Sequence, residues 1–262
     1  MHIKSRDNAL LKHARAVRDG KTDDLIFVEG LRLCEEALLS KLSIEAVIYS
    51  EELASKEKAS QVIEDLSSIA HRIASVNENL LASISYTKTS QGIVLLAKRP
   101  PSGPEILSER VGSSLVVVMH RINNPVNVGA ILRTAEAAGA DVAIATSNTS
   151  DPFSPKSLRG AMGSAFRLPI WFGPGYQEMI AWCRERKLVS LCADGEGTRS
   201  YTEVNWKRNV ALILGPESTG LSVEELAAAD ESVRIPMSGP VESLNVSVAA
   251  GILLFEAARQ KT

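Results

Sequence analysis

Along the first hundred residues the apolar positions switch between helical and strand spacing. Leu10, Leu11, Ala14 and Val17 recur at helical intervals and predict a short helix near the start. LIFVEG at 25–30 is a short apolar strand closed by Gly30, and LRLCEEALLSK behind it has the pattern of an amphipathic helix. AVIYS at 46–50 predicts a second strand, KEKASQVIEDLSSIA another helix, and QGIVLLAKR at 91–99 a further strand. Such alternation is that of a small layered α/β domain. It carries no convergent set of His, Asp, Glu or Cys, which suits binding or positioning better than catalysis. Pro100, Pro101, Gly103 and Pro104 then interrupt the pattern with a stiff connector.

Beyond the connector the strands become apolar throughout, as strands buried on both faces of a parallel sheet are. LVVVMH at 115–120 is the first. RINNPVNVGAILRTAEAAGA after it predicts a helix from Val128, capped by Asn127 and stopped at Gly139, and VAIAT at 142–146 completes a β-α-β unit. DPFSPKSLRGAMGSAFRLPIWF reads as a turn at Pro152–Pro155, a helix rich in small residues, and an apolar segment. KLVSLCAD at 187–194 and VALILG at 210–215 are further strands. The second runs into GPESTGLSVEELAAAD, where Ser222 and Glu225 have capping-box spacing. Glu217, framed by Gly215 and Gly220, therefore stands at the C-terminal end of a strand, where open α/β sheets bind ligands. A plain strand–loop–helix turn is the alternative. VRIPM at 233–237 is the last strand, and IPMSGPVESLNVSVAAGILLFEAA begins at its end. Pro236, Gly239 and Pro240 exclude regular helix or central strand there, whereas Val248, Ile252 and Phe255 have helical spacing. Ser243 and Asn245 stand where loop becomes helix. This stretch fits a ligand loop, and it equally fits a well-capped C-terminal helix.

Composition narrows the chemistry. The 262 residues are 45% apolar and 23% charged, with a formal net charge of −2, so nucleic-acid binding would rest on a local patch rather than on the global field. Two such patches exist: Lys4, Arg6, Lys12 and Arg15 near the N-terminus, and Lys156 and Arg159 in the second half. Each is either a solvated face or a set of phosphate contacts. Cys34, Cys183 and Cys192 form no CxxC pair and read as reduced, buried thiols of a cytoplasmic protein, with no zinc site. No signal core or membrane-spanning apolar run is present. No GxGxxG follows the first strand of either half, and a GxxxxGK[ST] phosphate loop, HExxH and GxSxG are missing, which argues against dinucleotide, nucleoside-triphosphate and common hydrolase chemistry. Arg133, in the second turn of its helix, is a surface arginine or a functional one; its spacing alone does not decide.

Taken in order, NNPVNVGAILRTAEAAGA, LILGPESTGLS and IPMSGPVESLNVSVAAGILLFEAAR resemble the three signature motifs of the SpoU/TrmH family of RNA ribose 2′-O-methyltransferases, within the SPOUT superfamily. FVEGLRLCEEAL and TSQGIVLLA more loosely resemble the family's L30e-type substrate-binding domain. The resemblance implies an L30e-like α/β RNA-binding domain at 1–99, a linker at 100–110, and an α/β SPOUT domain at 111–262 whose parallel sheet ends in a trefoil knot. It implies an S-adenosylmethionine site built from three loops, onto which Ala193, Gly215, Glu217, Gly220, Ile235, Met237, Leu244 and Asn245 fall. It also implies a homodimer in which Arg133 of one subunit completes the site of the other. In the family proposal Arg133 is the general base. An arginine stays protonated, so positioning of phosphate and alkoxide is the role its chemistry suits. Asn127, Glu217, Ser243 and Asn245 would complete the catalytic set by fixing the arginine, the neighbouring loop and the last helix. Lys4, Arg6, Lys12, Arg15, Lys156 and Arg159 would contact RNA, ribosomal rather than transfer RNA, with no metal and no membrane. A transfer-RNA enzyme and a non-catalytic RNA-binding paralogue are the alternatives. The chain departs from the family pattern at His120 and Arg121, where an acidic residue is usual, and at Gly160, where serine is common.

Overall fold

The computed structural model describes residues 1–108 and 115–261. The end of the expected linker and the expected start of the second domain at 111 lie outside the described residues.

In chain order the elements are α1 (Ala9–Arg18), β1 (Leu25–Glu29), α2 (Leu31–Leu39), β2 (Ile44–Ser50), α3 (Glu51–Ala54), α4 (Glu57–Ile69), β3 (Arg72–Val76), α5 (Glu78–Ile84) and β4 (Ile93–Lys98). There follow α6 (Glu105–Ser108), β5 (Leu115–Met119), α7 (Pro125–Ala137), β6 (Val142–Ala145), α8 (Pro155–Ala161), α9 (Ser164–Arg167), β7 (Ile170–Phe172) and α10 (Tyr176–Glu185). The last are β8 (Val189–Ala193), β9 (Arg199–Ser200), a 3-10 turn (Tyr201–Glu203), β10 (Val210–Leu214), α11 (Val223–Ala228), β11 (Glu231–Arg234) and α12 (Val246–Lys261). They form two compact units: Met1–Pro100 with Phe153–Arg167, and Pro101–Pro152 with Leu168–Thr262.

The first unit is built on a mixed sheet in the order β1-β4-β2-β3. Leu10, Leu11, Ala14 and Val17 of α1 are buried with Phe27, Ile48 and Leu81, as the helical spacing predicts. Three elements were not predicted: the four-residue α3, β3 and α5. In β3 only Ala74 and Val76 are buried, too short an alternation to stand out, and α5 is a brief helix that Asn77 starts by accepting the Leu80 N–H. Glu29 is buried at the end of β1, and its carboxylate accepts the N–H groups of Tyr86 and Thr87 and the Thr87 hydroxyl. Those bonds satisfy a charge that would otherwise be costly to bury. Phe153–Arg167, placed by sequence order in the second half, clusters with this unit. There α8 packs on β1, Arg167 pairs with Glu36, and Arg99 lies 4.7 Å over the Phe153 ring.

The second unit holds, among the described residues, a seven-stranded sheet in the order β7-β6-β5-β10-β8-β11-β9, parallel at every pairing. The strands β5 and β10 are buried along their whole length, which is why they read as unbroken apolar runs. Register sets Leu214 of β10 level with Ala193 of β8, and Ala193 level with Val233 of β11, so the loops that follow these three strands leave the sheet at one height. Helix α7 starts earlier than predicted. Asn124, not Asn127, is its cap and accepts the Val126 N–H; Pro125 occupies the first helical position, where its missing N–H costs nothing. Strand β11 stops at Arg234, short of the predicted 237, because Pro236 cannot donate to a ladder. Helix α10 was not predicted, although its buried side, Tyr176, Met179, Ile180 and Cys183, has helical spacing. All three cysteines are free and buried. Burial pushes the thiols of Cys183 and Cys192 up to about 12 and about 11, so both stay protonated and unreactive. Among the described residues no helix is long and apolar enough to cross a membrane, and no group of side chains is arranged to hold a metal ion.

Gly197 lies where β9 meets β11: a Cβ there would stand 2.7 Å from the Val233 carbonyl carbon and 2.8 Å from the Arg234 nitrogen. Backbone cannot yield as a side-chain tip can. Gly197→Ala is expected to destabilise the fold by about 1–3 kcal/mol, read as a lowered denaturation midpoint in urea.

Candidate active site

The three loops that leave the sheet at one height enclose a cavity of about 240 Å³. Its floor is apolar, from Leu214, Val233, Val246 and Leu253, and its walls are loop backbone with glycines at 195, 215 and 220. Three carboxylates, Asp194, Glu217 and Glu242, face it. Of the residues expected at a cofactor site, Ala193, Gly215, Glu217, Gly220, Ile235, Met237 and Leu244 all line this cavity, and so does Ser243. Asn245 does not. Asp194 and Glu242 were not singled out from the sequence, although both lie in loops that were. A carboxylate in a polar loop has no pattern of its own.

Behind the cavity wall three expected residues are joined by hydrogen bonds. Asn127, buried in the first turn of α7, donates from Nδ2 to Glu217 Oε1 at 2.6 Å. Asn245 donates from Nδ2 to Asn127 Oδ1 at 3.4 Å and with its own Oδ1 accepts the Ser247 N–H and hydroxyl. The amide of Asn127 thus ties the loop after β10 to the start of α12. One amide that donates to a carboxylate and accepts from a second amide does this without burying a net charge.

Arg133 stands apart. It is exposed on α7, does not line the cavity, and makes no hydrogen bond or ion pair among the described residues. The expected RNA-contact residues all belong to the first unit, which gains Lys156 and Arg159 through its segment 153–167. Lys4, Arg6, Lys156 and Arg159 are exposed, whereas Lys12 pairs with Asp7 and Arg15 donates to the Arg6 carbonyl.

At the far end of the cavity loop is a polar cluster that the motifs did not mark. His120, 4% exposed, follows β5; its Nδ1 lies 2.8 Å from Thr146 Oγ1 and its Nε2 3.0 Å from Glu225 Oε1. The other carboxylate oxygen, Glu225 Oε2, accepts the Ser222 N–H and an Arg121 N–H, both at 2.8 Å. Tyr176 meets the His120 ring edge-on at 4.7 Å and donates its hydroxyl to the Glu225 carbonyl. Burial pushes Glu225 up, but the Ser222 N–H, His120 and Arg121 outweigh it and hold the carboxyl below its usual range. His120 is held below the ordinary histidine value, chiefly by burial, despite the neighbouring carboxylate. The signal was present as an oddity: a histidine and an arginine ending an apolar strand.

A parallel sheet with a loop-walled cavity at its C-terminal edge defines a ligand-binding α/β unit, preceded in the chain by a mixed-sheet unit. The model of the SpoU rRNA Methylase family matches residues 114–255, and that of the MRM3-like substrate binding domain matches 9–95. The chain belongs to the SpoU rRNA methylase family. Among its relatives, the 23S rRNA (guanosine-2′-O-)-methyltransferase RlmB of Bordetella pertussis is 29% identical over 217 residues, covering 82% of this chain and 89% of that one. RlmP of Bacillus subtilis, a 23S rRNA guanosine 2′-O-methyltransferase, is 28% identical and covers 87% and 86%. Among solved structures, the AdoMet-bound rRNA methyltransferase of Sinorhizobium meliloti aligns with a TM-score of 0.86 at 30% identity, over 99% of this chain and 97% of that one.

Replacing the donor in the wall tests the amide link. Asn127→Asp would set a second carboxylate against Glu217, raising the folded-state pKa of the pair. The stability lost is expected to be about 2 kcal/mol at pH 8 and to be regained toward pH 4 as the pair takes up a proton, measured by urea unfolding at the two pH values.

Proposed function

We propose that this chain transfers a methyl group from S-adenosylmethionine to the 2′-oxygen of a ribose in 23S-type ribosomal RNA, in the cytoplasm. The cavity is the observation that carries the reading. Its apolar floor suits an adenine ring and its glycine-bearing walls allow backbone N–H and C=O groups close to a ligand. Asp194, Glu217 and Glu242 set negative charge against the ammonium and sulfonium of the methyl donor. When bound, the donor supplies an electrophilic methyl group. Family membership and the 23S specificity of the relatives named above support the choice of reaction and of RNA.

Within this reading Asn127, Glu217 and Asn245 keep the cavity walls in register, and Ser243 presents its hydroxyl at the mouth. The basic side chains Lys4, Arg6, Lys156 and Arg159 of the first unit make phosphate contacts. Arg133 does not face the cavity of its own chain, and a partner supplies the geometry it needs. The packed helices α7 and α12 leave apolar side chains in the open: Val126 on α7 is 45% exposed, and Val248 and Phe255 on α12 are 50% and 53% exposed. A second copy covering these side chains makes the homodimer, with Arg133 on the same outer side of α7 as Val126. In that place the guanidinium holds the phosphate and the developing alkoxide in line with the methyl group, a role that needs no proton from arginine.

Mapping of 2′-O-methyl positions in ribosomal RNA from cells with and without the gene tests the reaction: one position should lose its modification, and an unchanged map refutes the reading. Arg133→Ala should abolish methyl transfer while calorimetry still records S-adenosylmethionine binding. Phe255→Glu should give monomers by sedimentation and lose transfer with them.

A further inference from the structure

The loop Gly215–Leu221 forms one wall of the cavity, and its two ends are held very differently from the rest of the sheet. At the near end it leaves β10, which is buried along its length. At the far end it enters α11, a helix of six residues none of which is buried. Leu221 and Leu226 are only partly covered by the core, so packing fixes this end weakly. A carboxylate does the rest. Glu225 closes the capping box with Ser222, accepts His120 Nε2–H and accepts an Arg121 N–H, which together pin the first turn of α11 to the end of β5. His120 is itself held from three sides. Its backbone N–H donates to the carbonyl of cavity residue Leu214, Thr146 lies at Nδ1, and the Tyr176 ring closes over it. With Glu225 ionised, Nε2 carries the proton and Nδ1 accepts from the Thr146 hydroxyl.

Arg121 adds a second, different contact. It sits at a positive φ of 53°, a conformation that an arginine adopts at a cost, and there it reaches Glu225 Oε2. An acidic side chain at 120 or 121, as the family pattern leads one to expect, would instead set two carboxylates together. The same short segment carries Asn127, which holds Glu217. Residues 120–127 therefore grip the wall at two carboxylates, one at each end.

We infer that His120 and Arg121 are positioning residues for the methyl donor: by clasping Glu225 they set the wall Gly215–Leu221 at the distance the donor requires. The inference rests on the cavity being the S-adenosylmethionine site. Neither side chain touches the donor or the ribose. Both act through Glu225, and their loss costs donor affinity rather than the rate of transfer from the filled site.

The test is titration calorimetry with S-adenosylmethionine on the full chain, together with steady-state transfer to ribosomal RNA from cells lacking the gene. His120→Ala removes a hydrogen bond to a charged group and is expected to raise the donor Kd and KM about tenfold, with kcat at saturating donor within about twofold of the parent. His120→Gln, which keeps a side-chain N–H, is expected to recover most of that affinity. On a Glu225→Gln background the His120→Ala effect should shrink, because the charge that it serves is gone. If His120→Ala does not fold, Arg121→Gln carries the test. Its side chain is 38% exposed and opens no cavity, and Kd should rise about threefold. A parent that binds the donor with variants that bind it equally well, even if less stable, overturns the inference and leaves the cavity assignment standing. A parent that binds no donor overturns both.

Discussion

The site depends on one constraint: the strands of the second sheet run the same way and in register. Because Leu214, Ala193 and Val233 are neighbours across the ladder, whatever follows each of them emerges on the same edge. Three loops far apart in sequence are thereby brought around one cavity without any contact between distant side chains having to be found first. Backbone hydrogen bonds between the parallel strands set this height, so loop sequences can vary while the place where they meet does not.

What the sheet does not set is how far each loop leans, and there polar chemistry takes over. The loop after β10 has little apolar surface to bury, and its position follows from two carboxylates held by groups at the start of the neighbouring β-α connection. Glu217 is satisfied by an amide and lines the cavity. Glu225 accepts from a histidine, an arginine and a backbone N–H, and its role is holding. Two chemically identical side chains eight positions apart are thus separated in function by their donors alone.

Much of this was legible in the residues. Unbroken apolar runs marked β5, β6 and β10, proline and glycine marked the loops, and the three motifs in order marked the cavity wall. The cap of α7 was misplaced by three residues because Asn124 and Asn127 are the same residue type; only structure tells which one serves the helix and which one looks inward. β3 was missed because only two of its residues are buried, whereas α10 was missed although it carries a helical spacing. Glu225 was read for its spacing to Ser222, and that reading holds; its second task, as acceptor for His120 and Arg121, joins residues about a hundred positions apart and leaves no local pattern. The membership of residues 153–167 was hidden for a similar reason, since order along the chain says nothing about which core a helix joins.

That last segment bears on how the chain is made. The first unit is not finished when its first hundred residues have been synthesised, for it still lacks α8 and α9. They arrive only after β5, α7 and β6 have emerged, and the chain must then return to complete the second sheet with β7. A nascent protein of this order holds two unfinished cores at once, each waiting on a stretch that comes after part of the other. The outer edge of β6 stays open until β7 is made, and that of β5 until β10 at Val210–Leu214, which keeps the growing sheet exposed to mispairing well beyond the arrival of α8 and α9.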